Sequence, residues 1–221
     1  AIDLHKRLRG KFSIIPKINV TKKNLALLYT PGVAEASKAI AKNKLASYDL
    51  TIKGNSVAIV TDGSSLLGLG NLGAQAALPV MEGKAILFNK FAGINAFPIC
   101  LDTQDNTKII EIVRSISPSF GGINLEDIAA PRCFEIEKAL QDIGIPVFHD
   151  DQHGTAIVVY AALQNAAKAV KKKFTELNVV ISGAGAAGSA ISKLLAGTSS
   201  ASYETVENVI VVDTQGAIYR G

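Results

Sequence analysis

The sequence predicts an α/β chain built on parallel sheets, and three observations predict it. From about residue 56 short apolar runs recur, SVAIVTD, AFPICLD, GGINLED and PVFHDD, each ending in one or two acids. Segments with helical spacing, such as NTKIIEIVRSI and PRCFEIEKALQDI, lie between them, and strands alternating with helices make βαβ units and a parallel sheet. The runs are apolar throughout rather than alternating, as in a sheet covered on both faces.

The elements follow in order. The opening AIDLHKRLRGKFSIIPK is basic with an apolar seam; it either packs on a second subunit or stands as a solvated arm. SVAIVTD is the first strand, ending at Asp62. The turn GLGNLG (Gly68–Gly73) follows, then AQAALPVMEG, which reads as a short helix containing Pro79. Lys84 then stands at the head of the apolar run AILF. AFPICLD ends at Asp102, GGINLED at Glu126 and Asp127, and PVFHDD at Asp150 and Asp151. QHGTAIVVYAALQNAAKAV is Ala-rich, free of Pro and helical. The basic turn KKKF then leads into a fresh strand, NVVISG, so a domain junction is expected here: residues 1–165, then 166–221. The Ser-rich TSSASYET (198–205) reads as a surface loop.

Ligands of open parallel sheets bind beyond the carboxyl ends of the strands. The acids named above therefore crowd one edge, where like charges are costly unless something cationic sits among them. For Asp62 and Asp102 the plainer reading is a helix N-cap. For the pairs Glu126-Asp127 and Asp150-Asp151 one cap explains only one carboxylate, so a functional role, with a bound cation, is expected there.

Two stretches match the dinucleotide pattern G-x-G-x-x-G. GAGAAG (Gly183–Gly188) has the full context: the strand NVVIS before it, the helix AAGSAISKLLAG after it, then a second strand, ENVIVVD, ending in Asp213. Its glycines, Gly183, Gly185 and Gly188, allow a tight turn and close approach of a pyrophosphate to the helix N-terminus. Asp213 would accept from the ribose 2′-hydroxyl and repel a 2′-phosphate, which favours NAD over NADP. This half reads as the start of a Rossmann dinucleotide-binding domain. GLGNLG lacks that context; it is expected to line the active-site cleft without being the main cofactor loop.

Composition narrows the classes further. Of 221 residues, 48% are hydrophobic, and the net charge of +4 comes from scattered Lys and Arg. The short run Lys171–Lys173 reads as the solvated end of a helix, and without a basic stripe or aromatic platform nucleic acid is not an expected partner. Cys100 and Cys133 read as reduced, buried thiols. No signal peptide and no membrane-length apolar stretch is visible, so a cytoplasmic protein acting on a small molecule is expected.

The blocks YTPGVAEA, VTDGSSLLGLGNLG, PVMEGKAILF, AFPICLDT, INLEDIAAPRCFEIE, PVFHDDQHGTA and GAGAAG, in that order, resemble malic enzymes of the shorter bacterial form. The resemblance implies oxidative decarboxylation of malate to pyruvate and CO2 with NAD(P) and Mg2+ or Mn2+. It implies Glu126, Asp127 and Asp151 as metal ligands, an all-oxygen set that suits a hard divalent ion, and Asp150 as the neighbouring acid that orients the site. It implies Tyr29 as the catalytic acid and Lys84 as the base, with a pKa lowered by burial and neighbouring groups. Larger members carry an Arg in the TDG block that grips the substrate; here that position is Ser65. His149 and His153 are expected to support the site or the fold rather than to bind zinc.

A doubly wound dinucleotide domain has about six strands, and only two follow the junction, so the chain is expected to be a piece of a longer enzyme. A homodimer is the expected assembly. An oxaloacetate decarboxylase, an enzyme converting malate to lactate with bound NAD, or a folded but inactive module would carry the same blocks.

Overall fold

The computed structural model describes residues 1–198 and 203–218. Four parallel strands form the first sheet: β1 (Ser56–Thr61), β2 (Asn95–Cys100), β3 (Gly122–Leu125) and β4 (Val147–His149), in the order β2-β1-β3-β4. The register pairs Val60 with Leu125 and Leu125 with His149, while Thr61 pairs with Cys100. The strands thus end at one level. Asp62, Glu126 and Asp150, each the next residue along, share that edge.

Alternation along β1 sorts the core into two layers. Ala58 and Val60 pack with Ile123 and Leu125 of β3 against Ile109 and Val113 of helix α6 (Asn106–Ile116) and Ile136 of α7 (Arg132–Ala139). Ile59, on the opposite face, meets Ala77, Met81 and Ala85 of helix α5. That helix runs from Ala74 to Ala92 and includes Pro79. The expectation of a short helix is therefore corrected. Pro79 falls in the second turn, so only one intrahelical donor is lost. The fully buried Ala77 and Met81 hold the helix to the sheet, and Gly93, left-handed, caps its far end. Lys84 consequently stands in mid-helix, and AILF continues that helix. GLGNLG does belong to a βαβ unit, but over a connection spanning residues 62–73.

Neither Asp62 nor Asp102 caps a helix: the cap of α6 is Asp105, which accepts from Lys108 N–H. Before β1 lie four helices, α1 (Ile2–Leu8), α2 (Leu25–Leu28), α3 (Val33–Lys42) and α4 (Ala46–Leu50), none of which buries a residue.

Helix α8 (Asp150–Ala169) leads to the second sheet, where β5 (Asn178–Ser182) pairs in parallel with β6 (Asn208–Asp213) and β6 pairs antiparallel with the short β7 (Gly216–Ala217). Ala156 and Tyr160 of α8 pack with Phe174, Val206 and Leu194 and Leu195 of helix α9 (Ala186–Leu195). Only one face of this sheet is covered here; Val180 and Ile210, on the other, are 65% and 49% exposed. The two-faced cover read from the apolar runs therefore holds for the first sheet and not for this one. Lys171–Lys173 are exposed as expected. Of TSSASYET, residues 199–202 lie outside the described residues.

Candidate active site

A cleft of about 800 Å³ opens between the acid edge of the first sheet and the glycine turn of the second. Ser65, Lys84, Glu126, Asp127 and Asp151 line it from one side, Gly183, Gly185 and Gly188 from the other. Elements far apart in sequence supply the first side. Lys84 comes from α5, Glu126 and Asp127 from just past β3, and Asp151 from the first turn of α8, where the neighbouring Asp150 lies outside the lining and pairs with Lys84.

The carboxylates are held in unlike ways. Glu126, nearly buried, accepts from Lys84 Nζ at 2.9 Å through Oε1 and from Asn124 Nδ2 at 2.7 Å through Oε2. Burial pushes its carboxyl up to about 7 against the opposing charge of Lys84. Asp127 has φ 52, a conformation non-glycine residues rarely adopt and one that gathers at functional sites. Its carbonyl accepts from Ser65 N–H at 3.0 Å and its N–H donates to Asp151 Oδ2 at 2.8 Å. Burial, reinforced by the charge of Asp151, raises its carboxyl to about 6. For Asp151 burial pulls the same way, but the neighbouring His149 and the Asp127 N–H outweigh it and hold the group below the usual carboxylate value.

Lys84 Nζ also meets Asp150 Oδ2 at 2.5 Å. Burial alone would lower its pKa, but the bonds and charges of Asp150 and Glu126 more than offset that, and the net shift is upward. This corrects the expectation of a lowered pKa: the ammonium is the cation that the acid cluster demands. Among the described residues no three His, Cys, Asp or Glu side chains stand at a spacing that holds a metal ion. His149 and His153 do not face each other across a zinc site. His153 Nε2 lies 2.8 Å from Glu137 Oε1, and the fully buried His149 turns towards Asp151.

Several residues that matter here lie within the quoted blocks, but the sequence assigns them no partner. Arg132 donates to Asp62 Oδ2 at 2.6 Å and to Ser64 Oγ at 2.9 Å, while Ser64 Oγ donates to Asp62 Oδ1 and accepts from Ala129 N–H. This clamp ties the turn after β1 to the loop that carries Glu126 and Asp127. A strand-end acid that caps nothing was the available signal, since a fully buried carboxylate needs a cation.

On the other side, helix α9 starts at Ala186 with no side-chain cap, leaving its first backbone N–H groups free for an anion. A Cβ on Gly188 would run into the Gly183 carbonyl oxygen, so the helix lies tight against the turn. A Cβ on Gly185 meets nothing; that space is open cleft. Asp213, at the end of β6, is exposed and outside the cleft lining, and its Oδ1 accepts from Gln215 N–H at 2.9 Å. Tyr29 follows α2, is 70% exposed, and does not line the cleft. Gly68 does, so GLGNLG reaches the cleft as expected.

Residues 9–111 and 103–141 match the model of the malic enzyme N-terminal domain, and residues 152–221 that of the malic enzyme NAD-binding domain. The chain belongs to the malic enzyme family. It is 56% identical to the NAD-dependent malic enzyme of Geobacillus stearothermophilus over 96% of its length, and 54% identical to the bifunctional malic/malolactic enzyme of Bacillus subtilis over its whole length. It spans 43% and 53% of those two proteins. The crystal structure of the NAD-dependent malic enzyme of Thermotoga maritima superposes with a TM-score of 0.91 at 52% identity, covering 98% of this chain and 56% of that one. The α/β fold with a parallel sheet and the opening of a nucleotide-binding domain is thus that of malic enzymes.

Proposed function

We propose that this chain forms the substrate side and the opening of the cofactor side of an enzyme that oxidatively decarboxylates malate to pyruvate and CO2 with reduction of NAD(P). One observation carries the reading: the acid–lysine cluster and the free helix N-terminus of α9 face each other across a single cleft. Residues 1–165 form the substrate and metal domain and 166–221 the start of the Rossmann domain, with α8 as their shared link.

Glu126, Asp127 and Asp151 suit a hard divalent cation, Mg2+ or Mn2+, in chemistry, since every donor is a carboxylate oxygen on one cleft wall. As they stand no three of them are at metal-holding spacing, so binding requires the side chains to draw together around the ion. Asn124 Oδ1, buried beside Glu126, has no hydrogen-bond partner. Once bound, such an ion would supply Lewis-acid polarisation of the substrate's C2 oxygen, and the dinucleotide would supply a hydride acceptor.

Around them the chain's own groups divide the work. Lys84 serves as the base only after its own proton has left to solvent; the free amine then takes the proton of the C2 hydroxyl, and Asp150 holds it in place. Gly183, Gly185 and Gly188 seat the pyrophosphate, and Asp213 favours NAD, with NADP the alternative. Tyr29 gives a proton to C3. Its exposed position means that a second copy or a closing motion must bring it to the cleft, and the uncovered apolar side chains Ile14, Ile15 and Leu27 on the same N-terminal segment support a homodimer. The ordinary reducing cytoplasm suits the two free cysteines, and no helix among the described residues is long and apolar enough to cross a membrane.

Malate, Mn2+ and NAD given to the intact protein should yield NADH, pyruvate and CO2 in equal amounts. Because one close relative is named a bifunctional malic/malolactic enzyme, a second reading is conversion of malate to lactate with bound NAD. Lactate formed without net NADH would favour it over the first, and decarboxylation of oxaloacetate alone would displace both.

A further inference from the structure

Behind the candidate metal ligand Asp151 lies a chain of polar groups whose directions can be deduced. Glu137, on α7 and 9% exposed, accepts the His149 backbone N–H at 2.9 Å and Gln152 Nε2 at 3.1 Å, besides its contact with His153. An ionised carboxylate only accepts, so the Gln152 amide must present its nitrogen to Glu137. The second hydrogen of that nitrogen faces His149 Nδ1, 3.3 Å away. Nδ1 therefore accepts, and in a neutral imidazole the proton then sits on Nε2. Nε2 is fully buried and lies 3.2 Å from Asp151 Oδ2. The approach is out of line for a well-formed hydrogen bond, and no other partner meets that nitrogen. Oδ2 thus accepts the Asp127 N–H and has His149 Nε2 against it at 3.2 Å, in contact but not in an aligned hydrogen bond. Asp151 Oδ1 accepts no hydrogen bond among the described residues and belongs to a side chain that lines the cleft.

We propose that Glu137, Gln152 and His149 form a positioning network that fixes Asp151 with Oδ2 turned inward and Oδ1 offered to the metal. The inference rests on the reading of Asp151 as a metal ligand. Glu137 anchors the network because a buried anion is favoured at the N-terminus of α8, and its bond to the His149 N–H sets where that helix begins. Gln152 transmits the direction, since only its amide can donate to a carboxylate and to an imidazole nitrogen together. His149 closes the network on Asp151, so its role is exercised without touching substrate or cofactor. Partners of this kind orient a ligand, and their loss commonly weakens metal binding by about 10- to 100-fold.

Titration of the intact protein with Mn2+, followed by electron paramagnetic resonance, tests this alongside NAD binding without metal. His149→Leu should weaken Mn2+ binding about 10- to 100-fold and leave NAD affinity unchanged, because the glycine turn lies across the cleft. His149→Gln, which returns an amide N–H near the place of Nε2, should recover most of the lost affinity, and Gln152→Leu should resemble His149→Leu while leaving the ring in place. The network is overturned if His149→Leu keeps full Mn2+ affinity while Asp151→Asn loses it. It is overturned equally if Mn2+ and NAD affinity fall together with the melting temperature in both His149 variants, which would mark a purely structural role. Unchanged Mn2+ affinity in Asp151→Asn overturns the ligand reading itself, and the network with it.

Discussion

Changing the pH between 6 and 8 perturbs the two carboxylates that burial has shifted most. With Glu126 at about 7 and Asp127 at about 6, Glu126 is ionised about one-tenth of the time at pH 6 and Asp127 about half of the time. Both are then free to bind a cation in roughly one molecule in twenty, whereas at pH 8 nearly all molecules qualify. Mn2+ affinity should therefore be about 20-fold weaker at pH 6 than at pH 8, and binding at pH 6 should release about one and a half protons. Isothermal titration in buffers of differing ionisation heat reads both quantities. An affinity constant across this range, in a protein whose Asp151→Ala variant no longer binds, would mean that Glu126 and Asp127 are already ionised. The argument from burial would then be refuted. The metal-free fold carries the matching sign. An acid whose pKa is raised on folding favours the folded state below its ordinary value, 4.5 for Glu126, and that contribution is lost as the pH rises through about 7. Melting temperature should fall across that window and fall less with Mn2+ present.

Other perturbations probe single contacts. Gly185→Val fills open cleft and should abolish NAD binding with little change in melting temperature, whereas Gly188→Ala forces α9 off its turn and should cost about 1–3 kcal/mol of stability; equal destabilisation by both would contradict the distinction. Arg132→Met leaves the fully buried Asp62 without its cation and should lower stability by roughly 3 kcal/mol, measured by denaturant unfolding, with Asp62→Asn in the same background recovering part of it. Tyr29→Phe should still reduce oxaloacetate to malate with NADH but release pyruvate slowly, and Lys84→Ala should impair the redox step most. Normal pyruvate release by the Tyr29→Phe protein would make Tyr29 a packing residue.

The strand order of the chemistry was legible because the apolar runs of the first sheet each stop at an acid, and a strand end is a local feature. GAGAAG was legible for the same reason: strand, turn, helix and second strand lie within one stretch. What escaped the sequence depends on long-range pairing. AQAALPVMEG read as a short helix, yet the layer formed by Ala77, Met81 and Ala85 against Ile59 holds α5 as one long helix. Asp62 looked like a cap because its true partner, Arg132, is remote in sequence. Lys84 was expected to be deprotonated readily, and its pairing with Asp150 and Glu126 reverses the sign. Nothing local in the PRCFEIE stretch distinguished Glu137 from the exposed acids of a surface helix.

The ammonium of Lys84 acts as a tethered counter-ion, and that has a consequence for ion choice. Sodium or potassium entering between Glu126 and Asp150 would exchange one positive charge for another and gain little over the resident amine, which is already tethered there. A divalent ion brings twice the charge, so it alone compensates the carboxylates that Lys84 leaves unmatched. If the proposed metal site holds, discrimination against monovalent cations would then follow from the length of a lysine side chain and its place on α5, before the size or geometry of any ligand shell comes into play.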